Sequence, residues 1–349
     1  MPVVKAYAAQ SASTPLSSYD LNRREPGDSD VLINIAYCGV CHSDIHQARD
    51  EWGGSMFPMV PGHEIIGHVA RVGKNVKKFK EGDIVGVGCM VDSCRECSSC
   101  KADLEQHCAK GFSGTYNGFE QDKTTPTQGG YAQTIVTDQD FVLSVPKNLD
   151  LAGAASLLCA GITTYSPLKR WKVGPGMKVA IAGLGGLGHM GVKFASAFGA
   201  DTYVITTSPN KRADAQRLGA KDIIVSKDPD DIAKHAGTFD FILNTIAAPH
   251  DINPYFGLLK VDGTLTMVGA PDKPLDINVF GLIMARRHFA GSLIGGIKET
   301  QEMLDFCGKH NITSDVEVIP VQDINKAYER MIKGDVRYRF SIDIKSLAA

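Results

Sequence analysis

From residue 177 onward, short apolar runs alternate with segments of helix-like spacing. The runs read MKVAIAG, DTYVITT, DIIVS, FDFILNTI, TLTMVGA and HFAGSLI, with stretches such as HMGVKFASAFG and NKRADAQRLG between them. Near-continuous apolar strands are buried on both faces, and strands joined by crossover helices form a parallel sheet. We therefore predict an α/β fold in which residues 151–296 form a doubly wound, six-stranded parallel sheet of the Rossmann type.

The first 150 residues have a different pattern. Short alternating runs, VLINIAYCG, IIGHVARVG, DIVGVG and YAQTIVT, are separated by glycine and proline, which predicts an irregular, mostly β domain. After residue 297 we expect a helix at 299–310, a strand at 316–319, a helix at 324–332 and a strand at 338–344. This tail is expected to return to the first domain, so that 1–150 and 297–349 form one domain. The segment 111–130 is predicted to be an exposed loop.

Length and charge narrow the class of protein. At 349 residues the chain exceeds one ordinary core, so two domains are expected. The 37 basic and 39 acidic side chains give a net charge of −2. Such a charge produces no electrostatic field that would attract nucleic acid or anionic lipid. No apolar leader or membrane span is recognisable. We expect a cytoplasmic protein without nucleic-acid or membrane partners.

Four of the nine cysteines lie within fifteen residues, in the spacing C-x2-C-x2-C-x7-C at Cys94, Cys97, Cys100 and Cys108. Four thiolates this close can enclose one tetrahedral Zn2+, which is the closed geometry of a structural site. The alternatives are incidental thiols and a nucleic-acid zinc ribbon, which wants two C-x2-C pairs about 15–20 residues apart. We predict a structural zinc lobe at about residues 89–110.

A second group of metal-ligand types is spread along the chain: CHSDIH from Cys41, PGHE ending at Glu64, and a distant Cys159. Cys41, His63 and Cys159 would make three ligands of a catalytic zinc with one open position. Each residue alone is weak evidence for a metal site, because a single Cys or His is more often a packing residue. Cys38 and Cys41 also spell C-x-x-C, a possible redox pair, although no thioredoxin-like βαβ context surrounds them.

A glycine motif follows the predicted strand KVAIA and opens a helix-like segment. It reads Gly183, Leu184, Gly185, Gly186, Leu187, Gly188. Gly183 and Gly185 permit a tight turn and close approach of a pyrophosphate to backbone N–H groups, and Gly188 permits close helix–strand packing. The strand before and the helix after favour dinucleotide binding over a merely glycine-rich turn.

The end of the next predicted strand bears on the choice of nicotinamide cofactor. NAD enzymes present a carboxylate there to the ribose 2′-hydroxyl, whereas this chain reads Thr206, Thr207, Ser208, Pro209, Asn210, Lys211, Arg212. The hydroxyls with Lys211, and also Arg212, could bind a 2′-phosphate, which favours NADP(H). The alternative is that both basic residues are solvated positions of the next helix.

These motifs together resemble the zinc-containing medium-chain dehydrogenases, and most closely the branch of cinnamyl alcohol dehydrogenases and bacterial NADPH-dependent aldehyde reductases. The resemblance extends over essentially the whole chain and includes CGVCHSDIH, GHE-x2-G-x5-G-x2-V, LCAGITTY and GDVRYRF. It implies a GroES-like catalytic domain, a Rossmann domain, an active site in the cleft between them and a homodimer.

The resemblance also implies roles for individual residues. Cys41, His63 and Cys159 would hold the catalytic zinc, and Glu64 could serve as a transient fourth ligand. Asp44 would orient His63. Ser43 and His46 would carry the proton of the reaction. Further cofactor contacts would come from His42 near the pyrophosphate, Thr163 near the nicotinamide, and the backbones of Val268, Ala270 and Ile294 at the carboxamide.

Two departures weaken an assignment to cinnamyl substrates: Gly114 replaces an aromatic pocket residue of the plant enzymes, and Trp52 replaces a smaller aliphatic one. The sequence thus predicts a zinc-dependent, NADP(H)-linked alcohol dehydrogenase or aldehyde reductase that acts reversibly on primary alcohols or aldehydes, both aromatic and aliphatic. Two alternatives remain: an NAD-dependent polyol or secondary-alcohol dehydrogenase, and a non-catalytic protein that binds zinc and NADPH. No role is assigned to Cys307.

Overall fold

The computed structural model describes residues 3–348, and its contacts divide the chain into two compact units. Among the described residues, unit 1 comprises residues 3–159 and 295–348, and unit 2 comprises residues 160–294. Unit 2 is therefore a continuous insertion in the sequence of unit 1.

The strands, in chain order, are β1 (Val3–Ala8), β2 (Ser17–Asn22), β3 (Asp30–Val40), β4 (Ile65–Val72), β5 (Ile84–Val87), β6 (Met90–Asp92), β7 (Ser113–Gly114), β8 (Gly118–Phe119), β9 (Pro126–Thr127), β10 (Thr134–Asp138), β11 (Leu143–Ser144), β12 (Lys178–Ala182), β13 (Asp201–Thr206), β14 (Asp222–Val225), β15 (Phe239–Asn244), β16 (Leu259–Met267), β17 (His288–Gly291), β18 (Val316–Pro320) and β19 (Arg339–Asp343).

The α-helices are α1 (His42–Ala48), α2 (Ser98–Lys101), α3 (Leu151–Ala155), α4 (Ala160–Arg170), α5 (Gly188–Ala197), α6 (Arg212–Arg217), α7 (Pro229–Lys234), α8 (Asn253–Leu258), α9 (Phe280–Ile283), α10 (Ile297–His310) and α11 (Ile324–Ile332). Short 3-10 helices span Glu105–His107, Gln139–Phe141, Ser156–Leu158, Pro209–Lys211, Val321–Asp323 and Ile344–Ala348.

Unit 1 is built on a seven-stranded sheet. Its strands run in the order β11-β5-β4-β3-β19-β18, and β10 also pairs with β3. The core of this unit joins β3 residues such as Ile33 with Phe340 and Ile342 of β19 and Ile324 of α11. The tail after residue 297 therefore shares the core of the first domain, as its strand and helix pattern predicted.

Unit 2 contains one parallel sheet of six strands in the order β14-β13-β12-β15-β16-β17. Each strand corresponds to one of the six apolar runs, and the prediction of a doubly wound parallel sheet is confirmed. The core on one side includes Ala180, Ile205 and Ile242 from the strands and Phe256 from α8. Alternation is absent from β12 and β15 because these central strands are buried on both faces of the sheet.

The unit boundary lies nine residues after the predicted one. The chain passes from unit 1 to unit 2 after Cys159 rather than after residue 150, because α3 packs against β3, β4 and β19. A Cβ at Gly153 would lie 2.8 Å from the carbonyl oxygen of Ser314, so this helix can approach the tail closely only with glycine there. The approach makes α3 part of unit 1.

The segment 111–130 is not the wholly exposed loop that its composition predicted. It contains the short strands β7, β8 and β9, and Ser113, Thr115 and Thr127 are buried. The Thr115 hydroxyl donates a hydrogen bond to the Gly88 carbonyl at 2.5 Å, which ties the segment to the strands before it.

Within residues 3–348, no single helix is long and apolar enough to cross a membrane. One bent pair, Leu151–Leu158 with Ala160–Arg170, has the length and composition of a span, and most of its residues are buried.

Candidate active site and metal centres

Unit 1 brings four metal-ligand residues from separate segments into one buried group. The ligand atoms of Cys41, His63, Glu64 and Cys159 all lie within 4.8 Å of one another. Cys41 precedes α1 as its N-terminal cap, His63 and Glu64 precede β4, and Cys159 follows the 3-10 turn after α3. Two thiols, an imidazole and a carboxylate at this spacing form a donor set suited to Zn2+.

Asp44 fixes the orientation of the His63 ring. Its Oδ1 lies 3.1 Å from His63 Nδ1, and its Oδ2 accepts a hydrogen bond from the Cys41 N–H at 2.9 Å. Because Nδ1 is engaged by the carboxylate, Nε2 is the nitrogen left for a metal. The ring of Tyr116 stacks on the imidazole with centroids 5.7 Å apart, which restrains its plane.

The two thiols of this group affect each other's ionisation. A hydrogen bond from Cys159 holds the pKa of Cys41 well below its usual value, and His63 and Arg339 add positive charge nearby. The same bond raises the pKa of Cys159, which donates it. The Cys41 sulfur is thus disposed to be a thiolate, the form that binds metal.

Arg339 holds one oxygen of Glu64. The Arg339 Nη2 donates to Glu64 Oε1, and both side chains are almost completely buried. Burial raises the pKa of Glu64 to about 7, although Arg339 opposes the shift. Within residues 3–348, Glu64 Oε2 has no hydrogen-bond partner. An oxygen left free beside two thiols and an imidazole fits a residue that can reach a metal.

The predicted proton-carrying residues lie on α1. Ser43 Oγ is 3.6 Å from Cys41 Sγ, which puts the hydroxyl at the edge of the metal-ligand group. His46 Nδ1 lies 2.5 Å from Glu51 Oε2, and the half-exposed ring of Trp52 stacks on the imidazole at 4.8 Å. Glu51 therefore engages Nδ1 and leaves Nε2 of His46 available for proton exchange.

The four clustered cysteines form the second potential metal centre. The sulfur atoms of Cys94, Cys97, Cys100 and Cys108 all lie within 4.8 Å of one another. Cys97 Sγ accepts from the N–H groups of Ala109 at 3.4 Å and Cys100 at 3.5 Å, and these bonds lower the pKa of Cys97 to about 6. Backbone N–H groups directed at sulfur stabilise the Cys97 thiolate, and four sulfur atoms at this spacing fit one tetrahedral Zn2+.

The glycine motif of unit 2 has the geometry that its sequence predicted. Gly183 has a φ of 92°, and a Cβ at Gly188 would overlap the carbonyl oxygen of Gly183. In contrast, the missing Cβ of Gly185 would meet nothing within 4 Å. Leu184, Gly186 and Leu187 complete the turn that leads into α5. The open side at Gly185 and the N-terminus of α5 fit a pyrophosphate.

The region predicted to contact a 2′-phosphate follows β13. Ser208 N–H donates to Thr206 Oγ1 at 3.3 Å, Thr207 is exposed, and Lys211 Nζ donates to the Leu184 carbonyl at 3.2 Å. Lys211 therefore lies against the glycine turn. Arg212 points elsewhere, since its guanidinium pairs with Asp222, and the structure brings only Lys211 to the turn.

The other predicted cofactor residues divide between the units. His42 opens α1 in unit 1, whereas unit 2 has Thr163 in α4, Val268 and Ala270 directly after β16, and Ile294 after β17. Carboxyl ends of parallel strands share one edge of the sheet. Val268, Ala270 and Ile294 thus lie at the same edge as the glycine turn after β12.

Two residues at the metal-ligand group were not predicted. No role was predicted for Arg339. It lies in the buried run Arg339–Ile342, and an arginine within such a run indicates a buried ion pair. Cys89 interacts with the Cys159 thiol and also lies 3.7 Å from the Leu158 carbonyl. The position of Cys89 in the sequence did not indicate this contact, because Cys89 and Cys159 come together only in the folded chain.

Family comparisons agree with both units. Residues 27–147 match the family model of the alcohol dehydrogenase GroES-like domain, and residues 186–309 match that of the zinc-binding dehydrogenases. The chain belongs to the zinc-binding alcohol dehydrogenase family, with a GroES-like unit and a Rossmann-type unit.

Three relatives match nearly the whole chain. Aldehyde reductase YahK of Escherichia coli (strain K12) is 55% identical over 346 residues, which cover 99% of both chains. A cinnamyl alcohol dehydrogenase of Sorghum bicolor, SbCAD4, has a TM-score of 0.96 at 46% identity and covers 99% of this chain and 98% of its own. The Helicobacter pylori cinnamyl alcohol dehydrogenase complexed with NADP(H) has a TM-score of 0.92 at 45% identity, with 98% of both chains covered.

Proposed function

We propose that this protein is a zinc-dependent oxidoreductase that interconverts primary alcohols and aldehydes, both aromatic and aliphatic, with NADP(H). The observation that carries the proposal is the buried convergence of Cys41, His63 and Cys159, with Glu64 beside them and retained by Arg339. Three strong ligands and a restrained carboxylate leave one position for a substrate oxygen, which distinguishes a catalytic from a structural zinc site.

Cys41, His63 and Cys159 would hold the catalytic zinc, and Cys94, Cys97, Cys100 and Cys108 the structural one. When bound, the catalytic zinc supplies a Lewis acid that polarises an aldehyde oxygen or lowers the pKa of an alcohol. Asp44 keeps His63 in the tautomer that ligates through Nε2. Arg339 holds Glu64 Oε1 and so limits how far the carboxylate can move.

The proton of the reaction is assigned to Ser43 and His46. Reduction consumes one hydride and one proton per aldehyde, and the Ser43 hydroxyl at the edge of the ligand group is suited to donate the proton to the product oxygen. His46 would replace it from solvent, because its ring is partly exposed and Glu51 holds Nδ1. In oxidation the proton moves in the opposite direction.

The nicotinamide cofactor supplies or accepts the hydride. The open side of Gly185 and the position of Lys211 near the turn support NADP(H), as does the H. pylori relative, which was crystallised with it. The relative named aldehyde reductase supports an aldehyde as substrate. Arg212 is a weaker candidate for phosphate binding, since it is paired with Asp222.

The decisive experiment combines turnover with zinc analysis. We expect benzaldehyde to be reduced with NADPH by protein that contains two zinc ions per chain. Cys159→Ala or His63→Ala should abolish turnover and remove one zinc while the fold survives. Cys307→Ala, which removes a buried thiol outside both clusters, should retain both zincs and activity. Near-normal activity of Cys159→Ala in zinc-free buffer would contradict the proposal.

Two alternatives are separated by simple assays. An NAD-dependent polyol or secondary-alcohol dehydrogenase would show higher initial rates with NAD+ and a polyol than with NADP+ and a primary alcohol. A non-catalytic protein that binds zinc and NADPH would bind both but would not turn over any member of an aldehyde panel.

We further propose that the protein is a homodimer formed through unit 2. Strand β17 ends the six-stranded sheet, and large apolar side chains near it are exposed: Phe280, Ile283 and Met284 are each at least 65% accessible. An open strand edge next to apolar side chains is suited to isologous pairing with a second copy. Light scattering should give the mass of a dimer, and Met284→Glu should give that of a monomer.

A cytoplasmic location is part of the same proposal. Six of the nine cysteines belong to the two ligand groups. Such thiols need a reducing compartment to remain metal ligands. Fractionation of the native host is the direct test, and recovery of the protein outside the cytoplasm would contradict this assignment.

A further inference from the structure

The carboxylate of Asp44 is completely buried and bonded on both oxygens. Oδ1 interacts with His63 Nδ1 and accepts from the Gly62 N–H, each at 3.1 Å. Oδ2 accepts from the Cys41 N–H at 2.9 Å and from the Tyr131 hydroxyl at 3.2 Å. Three of these donors belong to the chain around the ligands themselves. The fourth, Tyr131, comes from a distant segment.

Tyr131 is held rigidly where it can reach Asp44. Its side chain is fully buried, its N–H donates to the Pro61 carbonyl at 3.0 Å, and its carbonyl accepts from the Tyr7 N–H at 2.8 Å. A Cβ on Gly62 would come within 2.7 Å of the Tyr131 ring, so the ring packs directly against the residue before His63. Burial, with the nearby charge of Asp44, raises the pKa of Tyr131 well above its usual value, which keeps the hydroxyl a donor.

We infer that Tyr131 is a positioning residue for the catalytic zinc site: its hydroxyl fixes the Asp44 carboxylate, which in turn fixes the His63 ring. Two donors on Oδ2 prevent the carboxylate from rotating about its bond to Cβ, so that Oδ1 remains on Nδ1. Without the Tyr131 hydroxyl, the Asp44 carboxylate loses one donor and keeps its contacts with the Cys41 N–H and the Tyr116 side chain. The imidazole then loses part of its orientation. This inference rests on the proposed catalytic zinc.

The neighbouring Tyr328 provides a matched control. It is 2% exposed, and its hydroxyl interacts with the Tyr131 hydroxyl but makes no hydrogen bond to Asp44 within residues 3–348. Tyr328→Phe and Tyr131→Phe therefore remove the same atom from two buried rings in the same region. Only the second removes a hydrogen bond to Asp44.

The experiment measures zinc release to a chromophoric chelator, with both zincs followed in the same molecules. Loss of a group that bonds directly to a metal ligand costs about 10–100-fold in metal affinity, and Tyr131 acts one bond further out. We expect Tyr131→Phe to accelerate release of the catalytic zinc by roughly 3–10-fold and to leave release of the structural zinc unchanged. Tyr328→Phe should change neither rate. Cobalt substituted at the catalytic site should show an altered visible spectrum only in Tyr131→Phe.

A second variant tests whether Tyr131 acts through Asp44. In an Asp44→Asn background, adding Tyr131→Phe should produce no further acceleration of release. The inference is overturned if Tyr131→Phe accelerates release of both zinc ions equally, which is the signature of general destabilisation. It is also overturned if Tyr131→Phe and Tyr328→Phe give the same release rates, or if Tyr131→Phe still accelerates release in the Asp44→Asn background. Absence of the catalytic zinc from the unmodified protein would instead overturn the proposed function.

Discussion

Two glycines of one motif, Gly188 and Gly185, should respond in opposite ways to the same substitution. A methyl group at Gly188 would overlap the backbone carbonyl oxygen of Gly183 and approach the Thr245 hydroxyl to 3.2 Å. The obstacle is backbone, which cannot rotate away. At Gly185 the same methyl group would enter open space, at a position without a left-handed φ.

The magnitudes follow from these surroundings. Overpacking costs about 1–3 kcal/mol, and the reduced unfolded-state entropy of alanine offsets about 0.4–1 kcal/mol of it. We therefore expect Gly188→Ala to lower the free energy of unfolding of unit 2 by roughly 1–2 kcal/mol. Gly185→Ala should leave stability unchanged or slightly higher. Its methyl group should instead occupy the space of the pyrophosphate and weaken NADPH binding at least about tenfold, or about 1.4 kcal/mol.

Urea unfolding of the cofactor-free, zinc-loaded protein measures the first quantity, and fluorescence titration with NADPH measures the second. The reasoning fails if the two variants have equal stability, or if Gly185→Ala binds NADPH as tightly as the unmodified protein. Either result would mean that the turn relaxes in a way that its contacts do not indicate.

Three further changes test other parts of the site. Lys211→Ala should raise KM for NADPH about tenfold or more but alter KM for NADH less than about twofold, because a charged donor matters most to the 2′-phosphate. Arg212→Ala should change neither KM. Equal effects of Lys211→Ala on both cofactors would contradict the assignment. Cys97→Ser should reduce zinc from two ions to one per chain and lower Tm, as measured by metal analysis and calorimetry; full zinc content would show that the lobe does not need this ligand. Arg339→Met should lower the free energy of unfolding by about 3–5 kcal/mol, because it leaves Glu64 buried without its partner. Adding Glu64→Gln should recover at least about 1 kcal/mol, and no recovery would show that the two residues are not coupled.

The sequence predicted those parts of the fold that local pattern determines. All six strands of unit 2 follow from apolar runs, and α11 begins and ends at the predicted residues, 324 and 332. The lobe cysteines and the glycine turn were recognisable because their chemistry depends on short spacings. Cys41 and His63 are near in sequence, whereas the distant Cys159 was a weak candidate by itself and gained support from the family resemblance.

The remaining site residues depend on contacts between distant segments. Tyr131, Arg339 and Cys89 have ordinary local sequences, and only the packing of unit 1 brings them to Asp44, Glu64 and Cys159. The unit boundary was misplaced for the same reason, since α3 belongs to unit 1 through packing rather than through its own pattern. Local periodicity carries no information on such pairings.

The insertion of unit 2 imposes an order on biosynthesis. Strand β19 lies between β3 and β18 in the sheet, yet ribosomes translate it only after the whole of residues 160–294. Domains generally fold as units while the chain emerges, and β10 already pairs with the first part of β3. Residues 37–40 of β3 therefore stay unpaired on one side until β19 is translated. Over the same interval Glu64 lacks its partner Arg339. Chaperones are therefore expected to bind mainly at this unpaired part of β3 during translation.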